Sequence, residues 1–337
     1  MKLLTIITRC FNKQRHWFSV LPFRFKRKLV ESRSISLKVF NGQSILTRAE
    51  FNSKILEMIE NKRPVLVSRF GTTESAFCLA FKSHTLNFTD SNLSNEIENL
   101  WKLSGVFPKN ELELSNFFHR YTASAAATDL FGVRRSSLEY SFWQQEKLMH
   151  RYFSPKSKVF DIEELTPALE ERVWLSALNG KRVLIVHPFE TSILSQLSIF
   201  ETHSHRPPWL PDSDFIIVRA PQSLSGSPTQ WPSDNWTNLL DDLISRVRLE
   251  SFDVALLGCG AYGLPLGAAI KEMGKPVIHI GGSLQLLFAI RGARWENDVL
   301  RGDSSAQFPH WNWPDPSDTP LNSHEIEGGA YWLPPRE

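Results

Sequence analysis

Three short segments hold residues whose types and spacing can do chemistry. The first is Arg69-Phe70-Gly71-Thr72-Thr73-Glu74. A guanidinium presents a planar fork of donors that suits a phosphate or carboxylate. Glu74, five residues on, can hold a divalent cation, act as a base, or cap a helix that begins there, because negative charge is favoured at a helix N-terminus. The second is His187-Pro188-Phe189-Glu190. There an imidazole that titrates near neutral pH can serve as acid, base or phosphate contact, or simply close the end of a buried strand. The third, Gly258-Cys259-Gly260-Ala261-Tyr262-Gly263, satisfies G-x-G-x-x-G. Such a loop lets backbone approach a phosphate and aims helix N–H groups at it. A dinucleotide site also needs an acid about 20 residues on, at the end of the next strand. That strand ends in His279-Ile280-Gly281-Gly282 with no acid, which argues against NAD or FAD and leaves a diphosphate-binding turn or a structural one. The eleven tryptophans can stack on sugar or base faces, or anchor packing. No HExxH, CxxC, Walker or GxSxG pattern is present.

These segments need elements to position them, and the pattern of apolar residues supplies a set. Thr47 can cap a helix over 47–61, with Glu50 three residues after the cap and Phe51, Ile55 and Leu56 at helical spacing. A β-branched run over 64–70 reads as a buried strand that Gly71 ends. Helices are expected over 73–81, 93–103 and 111–127, with 135–178 mixed and two further helices near 139–151 and 167–178. The second half is more regular. Strands are expected over 181–187, 214–219, 253–257 and 276–280, with helices over 190–200, 235–249 and 262–273. Strands separated by helices of this length imply right-handed crossovers and a parallel sheet. The fold class is α/β, Rossmann-like and doubly wound with a mainly parallel sheet, in one large domain. In such sheets ligands bind beyond the carboxyl ends of the strands, where all three segments fall. Residues 1–45 read as a basic, aromatic N-terminal segment. Residues 46–337 form the domain, with an irregular Trp- and Pro-rich stretch from about 300.

Composition bounds the reading. Of 337 residues, 42% are hydrophobic and 22% charged, which excludes wholesale disorder and a fibrous chain. The 38 Lys and Arg against 36 Asp and Glu give a net charge of +2, but the charge is unevenly placed. Residues 1–30 hold Lys2, Arg9, Lys13, Arg15, Arg24, Lys26, Arg27 and Lys28 and no acid, which leaves the remainder at 30 against 36, or −6. An acidic body argues against nucleic acid as a partner. The head, with Trp17, Phe18, Leu21, Phe23 and Phe25, can lie on an anionic leaflet or be a frayed basic terminus. Three unpaired cysteines and no recognisable signal or spanning segment point to the cytoplasm, with peripheral contact at the inner face of the cell membrane.

Beyond these readings, five blocks resemble the GT-D fold glycosyltransferases, a bacterial group formerly a domain of unknown function. They are RFGTTES (69–75), ALNGKRVLIVHPFETSI (177–193), VRAPQSLSG (218–226), LLGCGAYGLPLGAAIKEMGKPVIHIGGSLQLLFAIRGARW (256–295) and EGGAYW (327–332). The resemblance implies a transferase that moves a sugar from a nucleotide-diphosphate donor to a glycan or lipid-linked acceptor, in surface-polysaccharide or glycoprotein biosynthesis. It implies a divalent cation, Mn²⁺ or Mg²⁺, at an Asp-x-Glu in the first loop. Arg69, Gly71 and Glu74 match that loop, whereas Thr72 stands at the Asp position and Thr73 at a Gly. Arg69, Glu74 and His187 are the candidate catalytic residues, with Glu74 the candidate metal ligand. Gly71, Thr72, Glu190, Gly258, Gly260, Ala261, Tyr262, Gly263 and Gly282 are candidates to hold the donor. The alternative is a non-catalytic member that binds a nucleotide or glycan within a membrane-associated assembly complex.

Overall fold

The computed structural model describes residues 38–85, 93–134, 140–167, 173–201, 206–226, 233–298 and 308–334. The basic segment of residues 1–30 lies outside the described residues. A two-stranded antiparallel hairpin, β1 (Val39–Phe40) and β2 (Gln43–Ser44), comes first. Phe40 is fully buried and sits edge-on to Phe131, Trp143 and His150. Residues 39–45, grouped above with the N-terminal segment, therefore pack as part of the domain. Helix α1 (Arg48–Glu60) follows, and its start is the capping box read from Thr47 and Glu50. The Thr47 side chain accepts from the Glu50 N–H while the Glu50 carboxylate accepts from the Thr47 N–H at 2.8 Å.

The remaining elements in chain order are β3 (Leu66–Ser68), α2 (Thr72–Thr85), α3 (Leu93–Ser104), α4 (Glu111–Ala126), β4 (Leu130–Val133), α5 (Tyr140–Phe153) and β5 (Lys158–Asp161). Then come β6 (Arg182–His187), α6 (Glu190–Phe200), β7 (Asp214–Arg219), α7 (Trp236–Arg248), β8 (Val254–Leu257), α8 (Gly263–Glu272), β9 (Val277–His279) and α9 (Ala293–Asp298). Strands β4 and β5 were not expected. Each has four residues, one carries Gly132 at its middle, and neither shows an alternation that marks a strand. The helix expected over 167–178 is, where described, a single tightened 3₁₀ segment, Val173–Leu178. Its buried residues Trp174, Leu175 and Leu178 fill one turn, and the Trp174 indole donates to the Glu164 carbonyl at 3.0 Å.

Strands β3–β9 form one sheet, wholly parallel, in the order β5-β4-β3-β9-β8-β6-β7. The chain runs outward from β3 to β5, restarts at β6, steps out to β7, and returns through β8 and β9 to close against β3. The central strands are apolar on both faces, as a sheet covered by helices on both sides requires. One face carries Leu66, Val186, Leu257 and Val277 under α4, α7 and α8, with Phe117, Trp236 and Leu264 between. The other carries Val67, Ile185, Leu256 and Ile278 under α1, α6 and the C-terminal segment, with Phe51, Ile193 and Trp332 between. The chain is thus a Rossmann-like α/β domain, doubly wound as expected. Among the described residues, no helix is long and apolar enough to cross a membrane.

Candidate functional site

The loops after β3, β9, β8 and β6 are neighbours because their strands are, so the sheet order itself gathers the candidate segments along one carboxyl edge. Arg69 leaves β3 half-buried and turns across the loop after β9, its Nη1 3.1 Å from where a Cβ on Gly281 would stand. Among the described residues its guanidinium has no hydrogen bond and no ion pair, while its carbonyl accepts from the Ser68 hydroxyl at 3.3 Å. Burial pushes its pKa down, and the neighbouring guanidiniums of Arg134 and Arg294 push the same way, while Tyr331 and Glu74 oppose them. Taking a guanidinium out of water without a paired carboxylate is costly, and Tyr331 and Glu74 offset part of that cost.

Glu74 sits in the first turn of α2, and its carboxylate folds back over the residue before the helix. A Cβ on Gly71 would stand 1.8 Å from Glu74 Oε2, so a side chain there would displace the carboxylate. The Gly71 N–H is taken by the Tyr121 hydroxyl at 3.0 Å, whose own pKa burial raises well above the usual value. Glu74 is buried, and desolvation raises its pKa against the pull of its own backbone, of the Ser104 hydroxyl and of Arg69. Thr72 opens α2, with its carbonyl accepting from Gln145 and its hydroxyl accepting from Arg134 Nη2 at 3.4 Å. Arg134, just beyond β4, is itself ion-paired to the buried Glu146.

The histidine and glycine segments are put to another use. His187 is buried, its Nδ1 accepts from the Phe189 N–H at 3.1 Å, and burial lowers its pKa to about 3. The ring is therefore neutral at physiological pH and carries its proton on Nε2. His279 is buried likewise, with a pKa lowered to about 3 and its Nδ1 3.2 Å from the Ser68 hydroxyl. Gly258 admits the first ring and Gly263 the second, since added Cβ atoms would stand 2.5 Å from His187 Cδ2 and 2.2 Å from His279 Nε2. Ala261 and Tyr262 are buried too, Tyr262 stacking on Trp236 with its hydroxyl 3.0 Å from that of Ser223. Within 258–263 only Gly260 is exposed. Two of the three fingerprint glycines are thus explained by the histidines they accommodate. Glu190 stands at the first position of α6, where the helix end already holds a carboxylate. Asp318 accepts from the Ser192 N–H at 2.7 Å and the Ser192 hydroxyl at 2.6 Å, and pairs with Arg219 at 3.3 Å. No hydrogen bond joins His187 or Glu190 to Arg69 among the described residues, although His187 lies against Gly258, beside the Gly281 turn over which Arg69 lies.

Two solved chains resemble the molecule. One is the selenomethionine-substituted structure of domain of unknown function 1792, 12% identical, with 69% of this chain and 77% of that chain covered at a TM-score of 0.41. The other is a structure of the same domain, described as having a distinct glycosyltransferase fold, 13% identical, with 68% and 76% covered and a TM-score of 0.41. No family model matches the chain, and no curated protein matches it.

Around Arg69 the structure assembles residues that the sequence alone did not single out. Arg294, in α9, donates from one Nη1 to Glu327 at 2.6 Å and to the Tyr331 hydroxyl at 2.7 Å. Tyr331 lies against the turn after β9, and a Cβ on Gly282 would stand 2.5 Å from its ring. The Arg294 guanidinium also lies 5.2 Å from the Tyr331 ring centroid. Arg294 and Tyr331 fall inside the blocks that carried the family resemblance, which was the one available signal. Arg134 had none, because the strand it follows was itself unseen.

The residues present do not fit the divalent cation that the resemblance implied. Mn²⁺ and Mg²⁺ want several hard, negatively charged oxygens around a near-octahedral shell. Here Glu74 is folded back on Gly71, the Thr72 hydroxyl accepts from a guanidinium, and Arg69, Arg134 and Arg294 fill the surroundings. Among the described residues no group of three or more His, Cys, Asp or Glu is placed to hold a metal. The arrangement is suited instead to an anion that brings its own oxygens to Arg69.

Proposed function

We propose that the protein is a glycosyltransferase that binds a nucleotide-diphosphate sugar at the carboxyl edge of its sheet, with the diphosphate against Arg69. The acceptor is a hydroxyl of a glycan or of a lipid-linked glycan. One observation carries the reading: a half-buried guanidinium without hydrogen bond or ion pair among the described residues, held over the glycine turn after the neighbouring strand. A guanidinium with no direct side-chain partner among the described residues is complementary to a phosphate oxygen. In the transfer, the bond from the sugar C1 to the β-phosphate oxygen breaks and its electron pair stays on that oxygen. The acceptor oxygen forms the new bond to C1, and the acceptor proton is carried off by the released nucleoside diphosphate. Charge grows on the phosphate as the bond breaks, and a fixed guanidinium stabilises that state more than the ground state. His187 is too deeply buried and too far below neutral pKa to be the base in this reading, and Glu190 has no part in it.

The test is a screen of nucleotide sugars with nucleotide release as readout, repeated with Arg69→Gln. Loss of one charge-assisted contact should weaken donor binding by about 10- to 100-fold. Donor affinity unchanged in Arg69→Gln would remove the proposal. Binding without release or transfer, for every donor and glycan acceptor tried, would favour a non-catalytic binding protein.

A further inference from the structure

The cation-rich surroundings of Glu74 and Thr72 have a consequence for how a diphosphate is held, given the transferase reading above. We infer that this site takes the donor diphosphate without a divalent cation, the fixed guanidinium of Arg69 and the field of Arg134 and Arg294 doing what a metal would do. Four placements support it. Arg69 stands at the carboxyl edge of the sheet, half-buried and with no side-chain hydrogen bond or ion pair among the described residues, 3.1 Å from the position of a Gly281 Cβ. The Thr72 hydroxyl, at the head of α2, accepts from Arg134 at 3.4 Å and so lies on the positive side of the site. The Glu74 carboxylate lies over the backbone of Gly71. Arg294 is pinned over the turn by Glu327 and Tyr331 at 2.6 and 2.7 Å. A divalent cation here would meet the guanidinium of Arg69, while the carboxylates of Glu146 and Glu327 are already taken by Arg134 and Arg294, whereas a diphosphate meets complementary charge at Arg69. Arg also offers two parallel donors to a phosphate, so it fixes orientation as well as charge.

Calorimetric titration of the full chain with UDP and with GDP, once in EDTA and once with Mn²⁺, tests this. The affinity should agree within about threefold between the two conditions for whichever nucleotide binds, a difference of well under one decade in Kd. Arg69→Gln titrated in EDTA should lose about tenfold or more. Its melting temperature should stay close to that of the wild type, because among the described residues the Arg69 side chain makes no hydrogen bond or ion pair, and an unchanged melt separates a loss of binding from a loss of folding. Arg69→Lys should keep part of the affinity, since it retains charge but not the fork. Binding more than about tenfold tighter with Mn²⁺ than in EDTA would overturn the inference and leave the transferase reading standing. Failure of both nucleotides to bind under either condition would strike the transferase reading itself, and this inference with it.

Discussion

A glycine fingerprint acquires its meaning from what lies against each glycine. In 258–263 the outer two face buried imidazoles, and neither ring can retreat without leaving its partner, the Phe189 N–H or the Ser68 hydroxyl. Gly260 is different: it has a φ of +56°, and a Cβ there would meet nothing within 4 Å. Gly263→Ala should therefore cost about 2–3 kcal/mol through overpacking. Gly260→Ala should cost only about 1 kcal/mol, from the left-handed backbone alone. Urea unfolding of the two variants measures the difference. Equal costs would mean that the histidines yield, and that the spacing of glycines reflects backbone conformation alone.

At the scale of elements, the start of α6 shows how the C-terminal segment does structural work that its composition hid. Asp318 is almost wholly buried and gives one oxygen to both the N–H and the hydroxyl of Ser192, while Arg219 at the end of β7 faces the other. A carboxylate at a helix N-terminus is favourable there, and its removal would leave Arg219 short of its counter-charge. Asp318→Ala should lower stability by about 3 kcal/mol, and Asp318→Asn by less, since the amide keeps an acceptor for Ser192. Thermal melts of the two variants check this, and equal losses would show that charge, not the hydrogen bonds, holds the segment. The helix starts that were legible were those capped locally. Thr47 with Glu50 announces α1 within four residues, whereas the cap of α6 comes from a residue 126 positions away. The same distinction separates the strands. Those of the second half are long apolar runs, and β6 was placed to within a residue. Strands β4 and β5 are strands only because β3 lies beside one and the other extends it, with Val67 opposite Leu130 and Leu130 opposite Lys158. Missing β4 meant missing Arg134, and with it the guanidinium that donates to the Thr72 hydroxyl.

For the molecule as a whole, Arg69 could be read as an anion contact from its type and place, but the company it keeps depends on strand order. Arg294 and Tyr331 reach it only because β9 closes against β3, a pairing that no local pattern specifies. Burial was equally hidden: the sequence left His187 open as an acid, base or phosphate contact or as the close of a buried strand, and the structure buries it. That has a consequence for stability against pH. His187 and His279 both have pKa values lowered to about 3, against an ordinary value of 6.5, because burial disfavours the charged ring. His150 shifts the same way. Above pH 6.5 neither folded nor unfolded chain protonates these rings, and their contribution to stability is fully present. As pH falls from 6.5 toward 3 the unfolded chain binds protons that the folded chain refuses, so stability falls by about 1.4 kcal/mol per pH unit for each ring. Glu74, whose pKa burial raises, works in the opposite sense: above the ordinary value of 4.5 the folded chain holds a proton that the unfolded chain has released, so its contribution is fully present at low pH and is lost as pH rises. The two buried histidines should dominate between pH 6.5 and 4.5, where the loss from both reaches about 5 kcal/mol. Urea unfolding of the wild type across that window should show the decline, and His187→Gln, which keeps a neutral polar group, should remove close to half of the slope. A slope left unchanged by that variant would mean that His187 is reached by protons in the folded state, and would reopen it as a residue that titrates beside the donor.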